Sequence, residues 1–382
     1  MRVEKASIRQ AVSWAILAAV ALTGCGSGGP AGVGHDAGAA GAGGASDAGL
    51  DGDSGGLAGS GGHGSGDAGS ASDCGGGCAG KCLPGPLPRC LVTLAMYQNL
   101  PDRIVVDSTT AYFTVHNSNF PDRVMKVPLA GGEPVILASR KPDIKGLAVG
   151  GGSVYWPESN ASSLTAALAK VPGNGGSPVV LESSSPGPIW FWNVAVDSTH
   201  LYWTESNDSG GPVGTVSELP LAGGSPVTLA AETSGTFAIA LDASRIYWSE
   251  NDGDVLEMPI GGGSPDVLAS APTVPREIAV NATDVYFITT DTGVGAPNGT
   301  VVKVPIGGGT PTTLASGQRS VFGLAVDDTS IYWTTESAVM KLPLSGGTPV
   351  TLAPATHPLH VAVDATSVYW TAYEGIMKLT PK

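Results

Sequence analysis

An all-β repeat architecture is predicted by three observations. First, one unit recurs from residue 91 to the end of the chain. Its clearest copy reads Leu324-Ala-Val-Asp327, a spacer, Ile331-Tyr-Trp-Thr334, a variable stretch, Val339-Met-Lys-Leu-Pro343, a Gly-Gly turn, and Val350-Thr-Leu-Ala353. Each copy therefore holds four short β-rich runs separated by turn residues, with no helical periodicity. Second, the Asp that ends the first run returns as Asp107, Asp197, Asp242, Asp327 and Asp364, with Gly150 and Asn281 in the same slot of the other two copies. The repeat length is about 43 residues, within the range of four-stranded blades. Third, the two ends complement each other. The seventh copy stops after Ile376-Met-Lys-Leu379 without a fourth run, and Leu91-Val-Thr-Leu-Ala95 matches the missing run. Together these predict a seven-bladed β-propeller over residues 91–382, its last blade completed by an N-terminal strand so that no raw sheet edge remains at the closure. A closed ring of this kind is expected to be a monomer.

Composition agrees and narrows the function classes. The 382 residues include 56 Gly and 29 Pro, which disfavours helical bundles and coiled coils. Nineteen Lys and Arg stand against 33 Asp and Glu, and the net charge of −14 would repel a phosphate backbone, so nucleic acid is not an expected partner. Hydrophobic residues at 42% and eight Trp exclude full-length disorder.

The N-terminus reads as an address. Arg2, Lys5 and Arg9 precede an uncharged apolar run from Ala11 to Leu22, too short to span a bilayer but suited to a secretory signal. It ends in Leu22-Thr23-Gly24-Cys25. This order resembles the lipobox of bacterial lipoproteins. The resemblance implies that residues 1–24 are removed and that Cys25 is acylated, with the lipid bilayer as a partner. Gly26 after the Cys, rather than Asp, implies outer-membrane residence in the cell envelope. Residues 25–73 then form a Gly/Ala/Ser/Asp-rich stretch without Lys or Arg, a disordered tether. As a flexible coil it spans roughly 40 Å. Residues 74–90 carry Cys74, Cys78, Cys82 and Cys90, an even set in an exported chain and hence two disulfides with three possible pairings. Their spacing is not that of a zinc site.

The Tyr-Trp pairs at 155–156, 202–203, 247–248, 332–333 and 369–370, with Tyr112-Phe113 and Tyr286-Phe287, resemble the YWTD repeats of lipoprotein-receptor propellers. The resemblance implies fold; the fourth residue is never Asp, and that family has six blades. One such pair per blade is expected to pack between blades.

Loop variation locates the candidate site. The first-to-second and third-to-fourth connections are short and nearly constant, so their face reads as scaffold. The other connections vary greatly in length, and variable loops on a rigid scaffold carry recognition residues. Four residues before the Asp slot, the chain holds Arg103, Gly146, Asn193, Ala238, Glu277, Gly323 and His360. Strand parity with the recurrent Ala two residues later aims this ring at the channel mouth. Arg103, Asn193, Glu277 and His360, together with Trp190 and Trp192, are the expected ligand-binding residues. Lys145, Arg276, Arg319 and His357 lie nearby. The expected function is non-enzymatic binding of a protein, glycan or small anionic ligand. The alternative is a hydrolase or lyase using His360, Glu277 and Arg103 at the channel mouth. It has a parallel in the His and Glu of seven-bladed streptogramin lyases, although no motif carries those roles over. No cofactor and no metal is expected, since His357 and His360 are the one His pair at metal-like spacing.

Overall fold

A computed structural model describes residues 78–382, apart from 85–87, 97–99, 117–120, 141–142, 161–164, 185–188, 208–213, 233 and 290–297. The expected leader, Cys25, the tether and Cys74 lie outside the described residues.

Seven antiparallel sheets follow one another around a ring, and no helix occurs among the described residues. Blade 1 comprises Leu100–Val106, Thr110–His116, Asp122–Pro128 and Val135–Arg140, innermost strand first. Blades 2 to 6 repeat this order, ending at Ser183, Glu232, Ser270, Gln318 and Pro354. Blade 2 breaks its inner strand into Asp143–Ile144 and Ala148–Gly150, both paired with Ser153–Asn160. Blade 7 runs Val361–Val363, Val368–Ala372 and Gly375–Thr380. Its fourth strand is the N-terminal Arg89–Met96, in register Leu91↔Leu379 and Val92↔Lys378. The bulge between third and fourth strands in the other blades recurs here between Thr93 and Ala95. The shared bulge identifies Arg89–Met96 as a true member of the repeat.

This strand begins two residues before Leu91, and a fifth strand, Lys81–Leu83, pairs outside it with Cys82 opposite Cys90. The Cys-rich segment is thus continuous with the seventh sheet. Cys78 is disulfide-bonded to Cys90, and Cys82 is disulfide-bonded as well.

The repeated side chains have distinct duties. Asp107 Oδ1 accepts the backbone N–H groups of Thr109 and Thr110, both at 2.8 Å, and its Oδ2 accepts the Tyr112 hydroxyl at 3.0 Å. Asp197, Asp242, Asp327 and Asp364 repeat the arrangement with Tyr202, Tyr247, Tyr332 and Tyr369. One carboxylate thereby closes an Asx turn and fixes the tyrosine of the next strand. Burial opposes ionisation of Asp107, but the Thr109 N–H and the Tyr112 hydroxyl outweigh it and lower its pKa.

The aromatic pair then joins neighbours. Seven hydrophobic clusters each combine the Tyr of one blade with the Trp or Phe of the next, such as Tyr155 with Trp203 and Tyr202 with Trp248. The ring closes through the same contact, Tyr369 of blade 7 against Phe113 of blade 1. The Thr after the pair adds a latch. Thr371 Oγ1 accepts the backbone N–H of His360 in its own blade at 3.0 Å and donates to the carbonyl of Asp102 in blade 1 at 2.6 Å. Thr204 bridges Asn193 and Phe237 alike, and Thr334 bridges Gly323 and Leu359. Tyr, Trp and Thr therefore each serve blade packing.

Candidate functional site

The channel is lined by Val105, Ala148, Ala279, Ala325 and Ala362 among others and has a volume of about 410 Å³. The side chains lining it are apolar, so side-chain chemistry is concentrated where the inner strands begin, on the variable-loop face. There the strands bulge. In blade 1, Pro101 faces Val115 and Ile104 faces Phe113, so Asp102 and Arg103 together oppose Thr114. Bulges at the same slot add Trp192 in blade 3, Phe237 in blade 4 and Arg276 in blade 5. An extra residue breaks the two-residue alternation and turns two consecutive side chains toward the mouth.

Three of the four polar ring residues converge. Arg103 Nη1 forms an ion pair with Glu277 Oε1, across the ring from blade 1 to blade 5. His360 in blade 7 stands between them, with Nδ1 3.5 Å from Arg103 Nη1 and 3.7 Å from Glu277 Oε1. Glycine makes this reach possible. A Cβ on Gly323, in the blade between Glu277 and His360, would lie 2.7 Å from His360 Cα and 2.6 Å from the Leu359 carbonyl. Asn193 does not join the group. Its Oδ1 accepts the N–H of Val194 at 2.8 Å, and it packs where a side chain at Gly146 would collide.

The structure adds residues that strand parity could not locate. Asp102 Oδ1 lies 3.1 Å from His360 Nε2, and its Oδ2 lies 3.3 Å from His116 Nε2. His116 Nδ1 in turn sits 2.6 Å from Asp122 Oδ2, which also accepts the N–H of Ile144 in blade 2 at 3.2 Å. The result is a chain of alternating charge, Glu277–Arg103–Asp102–His116–Asp122, with His360 bridging it. It straddles the seam between the first and last blades. Burial opposes ionisation of Asp102, but His360, His116 and Arg103 outweigh it and hold the carboxyl well below its ordinary 3.8. Burial likewise opposes the charged form of His116, but the hydrogen bonds its ring nitrogens donate to the Asp102 and Asp122 carboxylates push its pKa up to about 9. His116 is therefore an imidazolium at neutral pH.

A pH dependence follows. A histidine raised from 6.5 to about 9 contributes stability that is complete below pH 6.5 and is lost as pH rises through 9. A depressed carboxyl such as Asp102 contributes above its ordinary 3.8 and loses that contribution as pH falls further. The melting-temperature gap between wild type and His116→Asn is expected to be widest between these limits and to close above pH 9. A gap that is constant from pH 5 to 10 would contradict the ion-paired role.

The other expected residues lie around this network. Trp190 and Trp192 have ring centroids 6.4 Å apart, and Trp192 meets Phe237 at 5.0 Å. The Trp192 indole donates to Ser206 Oγ at 2.7 Å. Lys145 pairs with Asp143 of its own blade at 3.2 Å. Arg319 is exposed, and His357 is exposed and stacked on Tyr373 with centroids 4.7 Å apart. Ser320 and His357 are the non-glycine residues with positive φ among the described residues, and both lie in inter-blade loops of this face. Among the described residues, no group of three or more His, Cys, Asp or Glu side chains is arranged so that it could hold a metal ion.

Comparison with known proteins defines a class by architecture. Virginiamycin B lyase from Staphylococcus aureus superposes with a TM-score of 0.59 at 14% identity, covering 76% of this chain and 98% of that one. The WD40 β-propeller domain of Doa1 gives 0.57 at 11% identity over 75% and 95% of the two chains. The computationally designed Ika8 protein gives 0.53 at 12% identity over 76% and 98%. No protein-family model matches the chain, and no curated sequence does. The chain is a seven-bladed β-propeller, and similarity at this level of identity establishes the fold alone.

Proposed function

We propose that this protein is a lipid-anchored recognition module of the bacterial cell envelope that presents the variable-loop face of its propeller to a ligand and performs no chemistry on it. The observation that carries the non-enzymatic reading is that His360 is surrounded by charged partners from the protein itself. Its Nε2 has Asp102 at 3.1 Å, and its Nδ1 has Arg103 at 3.5 Å and Glu277 at 3.7 Å. A general base needs a ring nitrogen within reach of a substrate proton. In the lyase or hydrolase alternative, His360 and Glu277 would carry the chemistry. Here they serve instead to brace the mouth of the channel. The braced mouth offers a rigid platform, and rigidity lowers the entropy lost on binding.

The test pairs binding with turnover on the mature chain, using a panel of anionic small molecules and glycans. Binding without product formation is expected. Product formation abolished by His360→Ala, with binding retained, would overturn the module in favour of the lyase or hydrolase. Anchoring is tested separately. Wild type should partition with membranes at high salt with acyl mass on Cys25, and Cys25→Ser should be released to the soluble fraction. A Cys25→Ser chain that still sediments with membranes would overturn the anchor.

A further inference from the structure

Arg276 differs from the other cations of the mouth. Arg103, His116 and Lys145 each have a carboxylate partner. Among the described residues, Arg276 has no carboxylate within ion-pair distance. Its guanidinium lies over the Phe237 ring, 5.3 Å from the centroid. Burial alone acts on it and lowers its pKa. A half-buried guanidinium has surrendered part of its hydration, and an anion supplying paired acceptors would restore it through charge-assisted hydrogen bonds.

The surroundings say what the anion is attached to. Trp192, Phe237 and Arg276 are the inserted residues of the bulges in three successive blades, and Trp190 precedes Trp192 on the same strand. Successive separations of 6.4, 5.0 and 5.3 Å make one row of planes, with indoles at one end and the guanidinium at the other. The planes are tilted, by 34° between the indoles and by 53° between Trp192 and Phe237. Tilted planes at these distances leave no parallel slot for a flat aromatic ring. Trp190, Trp192 and Phe237 are each only partly buried, and the C–H faces of puckered sugar rings can pack on such a partly exposed aromatic row. The row spans two plane spacings between Trp192 and the charge, so the matching ligand has more than one ring.

We infer that Trp190, Trp192, Phe237 and Arg276 form a subsite for a short acidic saccharide, with a uronate carboxylate at Arg276 and a neighbouring pyranose ring on the indoles. This rests on the recognition reading above and names its ligand class. The protein's charge of −14 favours short oligomers over long polyanions, because each added carboxylate meets more repulsion.

The experiment titrates the full chain with trimers of galacturonate and mannuronate and with their carboxyl-reduced neutral counterparts. Calorimetry and tryptophan fluorescence report binding, and mass spectrometry reports any cleavage. At least one acidic trimer is expected to bind about tenfold or more tighter than its neutral counterpart. Arg276→Gln should bring the two within about twofold while the melting temperature stays near wild type. Trp192→Ala should weaken both, and Trp192→Phe should restore much of the affinity. Equal affinity for acidic and neutral trimers, unchanged discrimination in Arg276→Gln, or no binding of any trimer would overturn the subsite. If citrate or benzoate binds uncleaved at Arg276 while the trimers do not, the saccharide assignment falls and the recognition reading stands. Cleavage of a bound trimer would instead overturn the recognition reading.

Discussion

Removal of residues 1–96 is expected to unfold the propeller or lower its melting temperature drastically, whereas removal of residues 1–73 should leave it unchanged. The longer deletion takes away Arg89–Met96, the fourth strand of blade 7, with Leu94 and Ala95 of the closing cluster. It also strips the Gly375–Thr380 strand of its ladder partner. The loss combines core burial with a row of unpaired backbone groups. Burial of one leucine alone is worth about 2–5 kcal/mol, a large share of the ~5–15 kcal/mol by which domains are stable. By composition, the Gly/Ala/Ser/Asp-rich residues 25–73 are expected to add no core. Equal melting temperatures for the two truncations, followed by circular dichroism, would contradict closure by the N-terminal strand.

The largest single-residue effect is expected at the tryptophans between blades. Trp248 is fully buried, packs with Tyr202 of the preceding blade, and donates its indole N–H to Glu250 at 3.2 Å. Trp248→Ala should destabilise by about 3–5 kcal/mol through the cavity it leaves. Trp248→Phe should cost much less, because Phe113 and Phe287 occupy the same slot in blades 1 and 5. Urea denaturation of the three proteins measures both steps. Similar midpoints for the Ala and Phe variants would show that the slot is not filled by packing.

Most of the fold was legible because its signals repeat. The Asp slot, the aromatic pair and the Gly-Gly turn each occur once per blade, and a duty performed seven times leaves a seven-fold trace. The ring of residues around the mouth was legible in part: the structure places Arg103, Glu277 and His360, three residues of the ring that parity selected, beside one another. Asp102 and His116 were not legible for a physical reason. Period-two reasoning assumes an unbroken strand, and the bulge at Asp102–Arg103 inserts a residue that changes the parity. Asn193 had the correct position, yet its side chain satisfies its own backbone, and strand periodicity cannot show that. The strand Lys81–Leu83 was hidden for another reason. Three residues flanked by Gly80 and Pro84 carry too little pattern to read, and the Cys78–Cys90 bond is what holds them near the sheet.

The pairing of Leu91 with Leu379 also bears on when the molecule is finished. The two strands lie at opposite ends of the propeller sequence, so this contact has nearly the greatest sequence separation the domain allows. Long-range pairings are slow because the chain entropy they consume must be spent before the contact forms. Six blades have all their strands in sequence and can pair as soon as those residues are available. Arg89–Met96 comes first and must wait for the last residues of the chain. Its amides are therefore expected to be the last to gain protection in pulsed hydrogen exchange during refolding. Protection there that develops as early as in blade 3 or blade 4 would contradict that order. The same arrangement leaves the first strand of the propeller without its partner until the last strands are available, so the ring closes only once the whole propeller is present.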